Sequence, residues 1–389
     1  MTSHPIIVAA RRTPVGRIGG SLRELPVEDL AAPVIRAVLA DAGLDPAEVD
    51  EVVLGNAVGP GGNVARLSAL AAGLPVLVPG VTVDRQCGSG LEAVNLAARL
   101  VQSGACDVVL AGGVESTSTA PWRVAKPSSL YRSPTFYDRA RFAPDEVGDP
   151  SMIEAAETVA TAYGIDRARQ DRYALDSHRK AVAAQAAGRF DREIVPLGLR
   201  DGRFVALDDC PRADTSLEKL AALRPILRPD GTVTAGNACP VNDGAAVVAV
   251  VSERKFRALG LRHGLAVVDS TAAGVDPKLL GTGPIPAVGK LLARNPGLTI
   301  ADIDLVEFNE AFAAQVLASL DALGIDQSRV SVGGGALALG HPYGASGAIL
   351  VTRLFTEMLF PAAGRAPRRG LATLGIGGGL GLATLLEPV

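Results

Sequence analysis

Short apolar runs alternate along the chain with longer amphipathic stretches, first over roughly the opening 117 residues and again near the end. Ile6-Ile7-Val8-Ala9-Ala10, closed by Arg11-Arg12, reads as a first strand. A helix is expected over 27–42, a strand over 49–54, a helix entered at Cys87, and a strand over 107–111. These strands are apolar enough to be covered on both faces, which is the signature of an α/β protein.

The second part repeats this vocabulary. Residues 46–54 resemble 300–308, each placing a strand after a short acidic turn, and the strand ending in Gly112-Gly113 is echoed by 372–379. Cys87-Gly88-Ser89-Gly90 pairs with Gly344-Ala345-Ser346-Gly347, each opening a helix. Three echoes in the same order, roughly 250 residues apart, indicate duplicated domains packed on each other, since the spacing is too large for a solenoid unit. Between them, residues 118–245 change character. Pro121, Trp122, Pro127, Tyr131, Pro134 and Tyr137 make an irregular stretch, 153–187 reads as helical, and an ordered excursion ends near Gly236-Asn237. A segment of this length with its own helices is an inserted layer, placed to roof a pocket where two halves meet.

At 389 residues the chain can bury a large core divided over two or more folding units. Its net charge of −3 and 20% charged residues give no nucleic-acid-binding surface, and the scattered arginines confine any phosphate contact to a local patch. The apolar opening is too short for a signal peptide and nothing of ~20 residues reads as a membrane span, so a cytoplasmic location is expected. Cys87, Cys106, Cys210 and Cys239 are widely spaced, which speaks against a disulfide scaffold or a metal site.

Four places carry candidate chemistry. Cys87 follows an apolar strand and precedes Gly88-Ser89-Gly90, so it is expected on the first helical turn, where free N–H groups and the helix dipole favour thiolate. His341 lies in Gly340-His341-Pro342-Tyr343-Gly344, a setting that His4, His178 and His263 lack, and imidazole suits a base that takes a thiol proton. Asn309 stands at the end of a strand, where its amide can hold a water or carbonyl, with Glu310 expected to begin the next helix. The run Gly377-Gly378-Gly379 lets backbone N–H groups approach a ligand closely, as an oxyanion site requires.

Taken together, these motifs resemble the thiolase family over nearly the whole chain. The segment around Cys87, Asn309-Glu310-Ala311-Phe312, Gly340-His341-Pro342 with Gly344-Ala345-Ser346-Gly347, and the terminal glycine run occur in family order, as do 234–246 and Arg212 through Leu223-Arg224-Pro225. The resemblance implies a thiolase-like α/β fold: two duplicated halves in a layered α-β-α-β-α arrangement with an inserted loop domain. The implied division is 1–117 plus 246–265 for the first half, 118–245 for the insertion and 266–389 for the second half. It implies coenzyme A and acyl-CoA thioesters as substrates, no tightly bound cofactor, and a homodimer or homotetramer. The implied reaction is thiolysis of 3-ketoacyl-CoA or the reverse Claisen condensation. Carried over, Cys87 is the acylated nucleophile, His341 its base, and Asn309 the holder of a water in one oxyanion site. The N–H groups of Cys87 and Gly377 form the second. Arg212 matches a residue near the adenosine phosphate end of coenzyme A, and Met152 one lining the acyl pocket. Lys219 falls where a small polar residue faces the coenzyme, and Cys239 replaces a serine beside the pantetheine.

One departure bears on the reaction. The family's terminal motif is Cys-x-Gly, whereas this chain has Gly375-Ile376-Gly377. The missing thiol moves the proton at the acyl α-carbon, and a positioned acid or base is worth roughly 10²–10⁴ in rate. Compensation by Cys239, by Cys210 or by a water in the space beside Gly375 is one outcome. An acyl transferase or thioester hydrolase without carbon-carbon chemistry is a second, and a noncatalytic acyl-CoA binder a third, although mere binding requires none of Cys87, Asn309 and His341. Ile153, where the family has glycine, is expected to crowd the acyl pocket.

Overall fold

The computed structural model describes residues 4–129, 131–362 and 366–389. The first half contributes strands β1 (Pro5–Arg12), β2 (Glu51–Gly55), β3 (Gly80–Val83), β4 (Val108–Ser116) and β5 (Asn242–Ser252), with helices α1 (Val27–Ala42), α2 (Val64–Ala71) and α3 (Ser89–Gln102). Helices α4 (Met152–Ala162) and α5 (Arg167–Ala186) and a short helix over Leu217–Ala221 lie between β4 and β5. The second half holds β6 (Leu265–Gly274), β7 (Leu305–Phe308), β8 (Gly370–Ile376) and β9 (Leu380–Pro388), with α6 (Pro284–Arg294), α7 (Ala313–Leu323) and α8 (Tyr343–Leu359).

The strand order is β7-β8-β9-β6-β1-β5-β4-β2-β3. Within the first half, β1, β5 and β4 pair antiparallel and β4, β2 and β3 parallel. The second half repeats this: β6, β9 and β8 pair antiparallel, β8 and β7 parallel, and Val330 bridges β7 where β3 stands in the first half. The sheets of the two halves join through two residue pairs of β1 and β6, Ile6 with Ala266 and Ile7 with Leu265.

Alternation along the strands sorts side chains into layers. Val52 and Leu54 pack outward with α1 and α2, whereas Val53 packs inward with α3 and α8. On the far side, Val306, Phe308 and Leu371 pack with α6 and α7. The central layer, α3 and α8, touches Val109 and Val248 of one half and Leu374 and Leu382 of the other. The result is the expected α-β-α-β-α stack.

Two glycines, Gly90 and Gly347, bring the central helices into backbone contact. A β-carbon at Gly90 would lie 2.6 Å from the Gly344 carbonyl oxygen, and one at Gly347 would lie 2.2 Å from the Leu91 nitrogen. The small residues of both motifs therefore serve this crossing, which sets the start of α3 against the start of α8. Elsewhere the apolar rhythm over 153–187 hides a break. Gly164, at φ +64°, ends one helix and Asp166 caps the next by accepting from the Arg169 N–H. Strand β5 already begins at Asn242.

Candidate active site

Strand β3 ends at Val83, and Asp84-Arg85-Gln86 turns the chain toward α3. The sharp step falls on Gln86, at φ +49°, a region uncommon for residues other than glycine. Asp84 Oδ1 accepts from the Gln86 N–H at 2.7 Å, and the Ser89 hydroxyl donates to the Gln86 carbonyl at 2.6 Å. Gly88 is needed for space, because a β-carbon there would lie 2.4 Å from Ile376 Cδ1.

Cys87 thus stands ahead of the helix, not on its first turn. Its sulfur is approached by two backbone donors, the N–H of Gly377 and its own. Burial nevertheless pushes the thiol up to about 11, outweighing both donors, and Glu115 and Asp84 add to the rise. The expected preference for thiolate is corrected accordingly: helix position favours it, but removal from water wins.

His341 is buried and follows Gly340, whose φ of +113° and contact with Asn242 leave no room for a side chain. Its N–H donates to Asn242 Oδ1 at 2.8 Å, and its Nδ1 lies 2.6 Å from the Ser346 hydroxyl. That hydroxyl donates to the Pro342 carbonyl at 3.0 Å, so Nδ1 is assigned the proton and Nε2 the lone pair. Nε2 faces the Asn309 amide nitrogen at 3.4 Å. Burial drives the imidazole down to about 3, which keeps it neutral near pH 7.

Asn309 leaves the end of β7 with its N–H on the Thr373 carbonyl at 3.1 Å. Glu310 does not begin a helix, since α7 starts at Ala313. It is buried and accepts from Tyr173 Oη at 2.9 Å and Ser177 Oγ at 2.6 Å, tying α5 to the second half.

Cys239 joins this centre. Its N–H donates to the Ala311 carbonyl at 2.9 Å, Ala238 bridges Phe312, and Val241 bridges His341. Burial and then the neighbouring Cys87 push its thiol above the ordinary range. Tyr343 also belongs here, its ring edge-on to the His341 imidazole at 5.0 Å and 86°. Met152 opens α4 behind a Ser151–Glu154 capping box and packs with Ile153, Ala238 and Ala311 around Phe312. It therefore borders the segments that carry Cys239 and Asn309.

Arg212 and Lys219 lie apart from that centre, in a surface groove that Arg17 also lines. Ala238 and Pro240, on either side of Cys239, form part of the same groove. Lys219 Nζ is held by Asp214 at 2.6 Å, so it is neither free nor merely solvated.

The surroundings of Gly375 differ from the expectation of vacated space. A β-carbon there would lie 2.9 Å from the Gly281 carbonyl oxygen and 3.2 Å from its Cα. Next along, the Phe142 ring covers Gly377, with a would-be β-carbon at 2.9 Å. Arg139 lies 4.6 Å over that ring and is fixed by Asp149 at 2.9 Å.

Behind Asn309 lies a charged interior that the sequence did not signal. Arg12 pairs with Asp208 at 2.7 Å and Glu193 at 3.0 Å, Arg353 with Glu193 and with Glu357 at 2.7 Å, and Arg189 with Glu357. Three guanidiniums thus meet three carboxylates, leaving Glu307 as a fourth acid. Glu307 shares a strand face with Asn309, and both line a small internal cavity with Arg12, Ser346 and Arg353. Burial pushes its carboxyl up to about 8; Arg353 opposes the rise and Glu357, Glu193 and Glu310 add to it.

Among the described residues no cluster of three or more His, Cys, Asp or Glu could hold a metal ion, and no helix is long and apolar enough to cross a membrane.

The profile of the thiolase N-terminal domain matches residues 5–254 and that of the thiolase C-terminal domain residues 263–388. A Staphylococcus epidermidis protein named "Putative acetyl-CoA C-acetyltransferase VraB" is 48% identical over 385 residues, 98% of both chains. Its Staphylococcus aureus namesake is 46% identical over 382 residues, again 98% of both. The crystal structure of the Bacillus anthracis acetyl-CoA acetyltransferase superposes with a TM-score of 0.92 at 39% identity, covering 100% of this chain and 99% of that one. Human mitochondrial 3-ketoacyl-CoA thiolase gives 0.92 at 35% identity, covering 99% and 98%. With both domain profiles filled and full-length relatives on either side, this chain belongs to the thiolase family.

Proposed function

We propose that this protein is an acyl-CoA C-acyltransferase that works through an acyl-Cys87 intermediate, in thiolysis of 3-ketoacyl-CoA or the reverse condensation. The observation that carries the reading is the setting of Cys87, on the strained Gln86 turn just ahead of α3, where the N–H groups of Gly377 and of Cys87 itself favour its thiolate. Donors that serve the thiolate can also meet the oxygen of an acyl group attached there. The resting pair is neutral: burial holds Cys87 as thiol and His341 as free base. Proton transfer to His341 Nε2 therefore accompanies attack on the substrate carbonyl. Asn309 orients that nitrogen and offers its amide to a second oxyanion site.

Arg212 and Arg17 fit the phosphate end of coenzyme A, while Lys219, in the same groove, is already paired with Asp214. Met152 and Ile153 narrow the acyl side. The coenzyme is a substrate in this reading, not a resident group. Work in the cytoplasm as an assembly of two or four copies goes with it; exposed Val76 and Leu77 supply apolar surface near the open edge strand β3. A second reading, acyl transfer without carbon-carbon chemistry, is favoured by one observation alone, the absence of a side chain at Gly375.

Incubation with acetoacetyl-CoA and free coenzyme A tests both. Loss of the 3-ketoacyl thioester together with an acetyl mass increment on Cys87, both abolished in Cys87→Ser, supports thiolysis. An adduct without cleavage leaves transfer alone, and cleavage with no adduct on Cys87 refutes the assignment of the nucleophile.

A further inference from the structure

Besides the Cys239 thiol, the reaction centre holds a polar side chain that none of these roles uses. Tyr343 is the first residue of α8, joined to His341 through Pro342, and its ring stands edge-on to the imidazole. Burial, and then Cys239, Cys87 and Glu115, raise its phenol above the ordinary value, and its ring lies against the base of the same centre. His341 is engaged with Ser346 and Asn309, and Cys87 with the Gly377 N–H. The Tyr343 hydroxyl makes no hydrogen bond among the described residues, although its residue is largely covered. A phenol so placed ordinarily finds a partner, which here has to be water or a bound substrate.

We propose that Tyr343 is the acid that protonates the acyl α-carbon, in place of the thiol that position 375 lacks. The proposal rests on the thiolysis reading. In the cleavage direction the Cys87 thiolate adds to the 3-keto carbon and the bond between C2 and C3 breaks. Its electron pair passes to C2 as the thioester enolate. The Tyr343 O–H bond breaks, its proton goes to C2, and acetyl-CoA leaves. The phenolate then takes the thiol proton of an incoming coenzyme A. The coenzyme thiolate attacks the acyl-Cys87 carbonyl, and the departing Cys87 thiolate recovers the proton that His341 accepted. No electrons leave or enter the cycle, and every group is restored. Burial, with Cys239 and Cys87 adding to it, raises the phenol above its ordinary value, so that it stays protonated.

Tyr343→Phe keeps the ring against His341 and removes only the hydroxyl. Two rates are read side by side: coenzyme-dependent cleavage of acetoacetyl-CoA, and transfer of acetyl from acetyl-CoA to isotopically labelled coenzyme A, which needs Cys87 and His341 but no proton at carbon. Uptake of deuterium into the acetyl methyl group in D2O is a third readout. The ratio of cleavage to transfer is expected to fall about 10²–10⁴-fold in Tyr343→Phe, with deuterium uptake lost. Equal falls in cleavage and transfer would reduce Tyr343 to a support for His341 and overturn the proposal. Cleavage retained in Tyr343→Phe but lost in Cys239→Ser would assign the proton to Cys239 and likewise overturn it. If the unsubstituted protein transfers acetyl but cleaves nothing, the thiolysis reading fails and the Tyr343 role with it; cleavage present and unaltered in Tyr343→Phe removes the Tyr343 role alone.

Discussion

Replacing Glu307 by glutamine should make the protein more stable, by an amount that grows with pH. The interior around Glu307 is already balanced, with Arg12, Arg353 and Arg189 satisfied by Asp208, Glu193 and Glu357. A further negative charge has no cation of its own, and burial holds the folded-state carboxyl at about 8 against an ordinary 4.5. Between those limits the folded chain keeps a proton that the unfolded chain has released. Stability is then lost as pH rises through the window, at about 1.4 kcal/mol per pH unit. From pH 5 to pH 7 the loss is about 3 kcal/mol. The amide of Glu307→Gln carries no proton to lose, so the variant should nearly match the unsubstituted protein at pH 5 and exceed it by that amount at pH 7. Urea unfolding at fixed protein concentration, in half-unit steps from pH 5 to 8, measures the difference. A difference that stays flat across the series refutes the reasoning. One that reverses sign would mean that Glu307 is an ionised partner of Arg353.

Three other outcomes follow from the same geometry. With His341 held near 3 and Cys87 near 11, acylation of Cys87 by acetyl-CoA in a single turnover should vary less than about twofold between pH 5.5 and 9; an inflection near 6.5 would mean a water-exposed imidazole. Gly375→Cys should lower stability by about 1–3 kcal/mol, read from the denaturant midpoint, because its β-carbon must displace Gly281 backbone; an unchanged midpoint would mean that this backbone yields freely. Arg12→Met should cost about 3–5 kcal/mol by stranding buried Glu193 and Asp208, and a loss below 1 kcal/mol in the same titration would show that water reaches them.

The layered α/β architecture was legible because its strands are apolar on both faces and its motifs recur in order. The helix over 27–42 is matched to the residue, and the echoes coincide with β2 and β7, β4 and β8, and α3 and α8. What escaped the sequence depends on long-range packing. The break at Gly164 lies inside a continuous alanine-rich rhythm. A helix start raises the acidity of Cys87 only if water stays, and the depth of burial is written in no local motif. Cys239 looked like a coenzyme contact because its distance along the chain conceals its place beside Cys87. Glu310 reads as the start of a helix and Glu307 carries no motif of its own, whereas both are buried, one in surplus and one bonded to Tyr173 and Ser177.

The glycine crossing of α3 and α8 gives the catalytic centre an unusual sensitivity. Cys87 rides at the head of one helix and His341 just ahead of the other, and the two axes are spaced by main chain against main chain. No flexible side chain stands between them to absorb a disturbance. A change in either outer layer that tilts its sheet by a fraction of an ångström is passed directly to the separation of nucleophile and base. Turnover should therefore register interior substitutions that leave the melting temperature almost untouched, making activity the finer gauge of how the two halves fit.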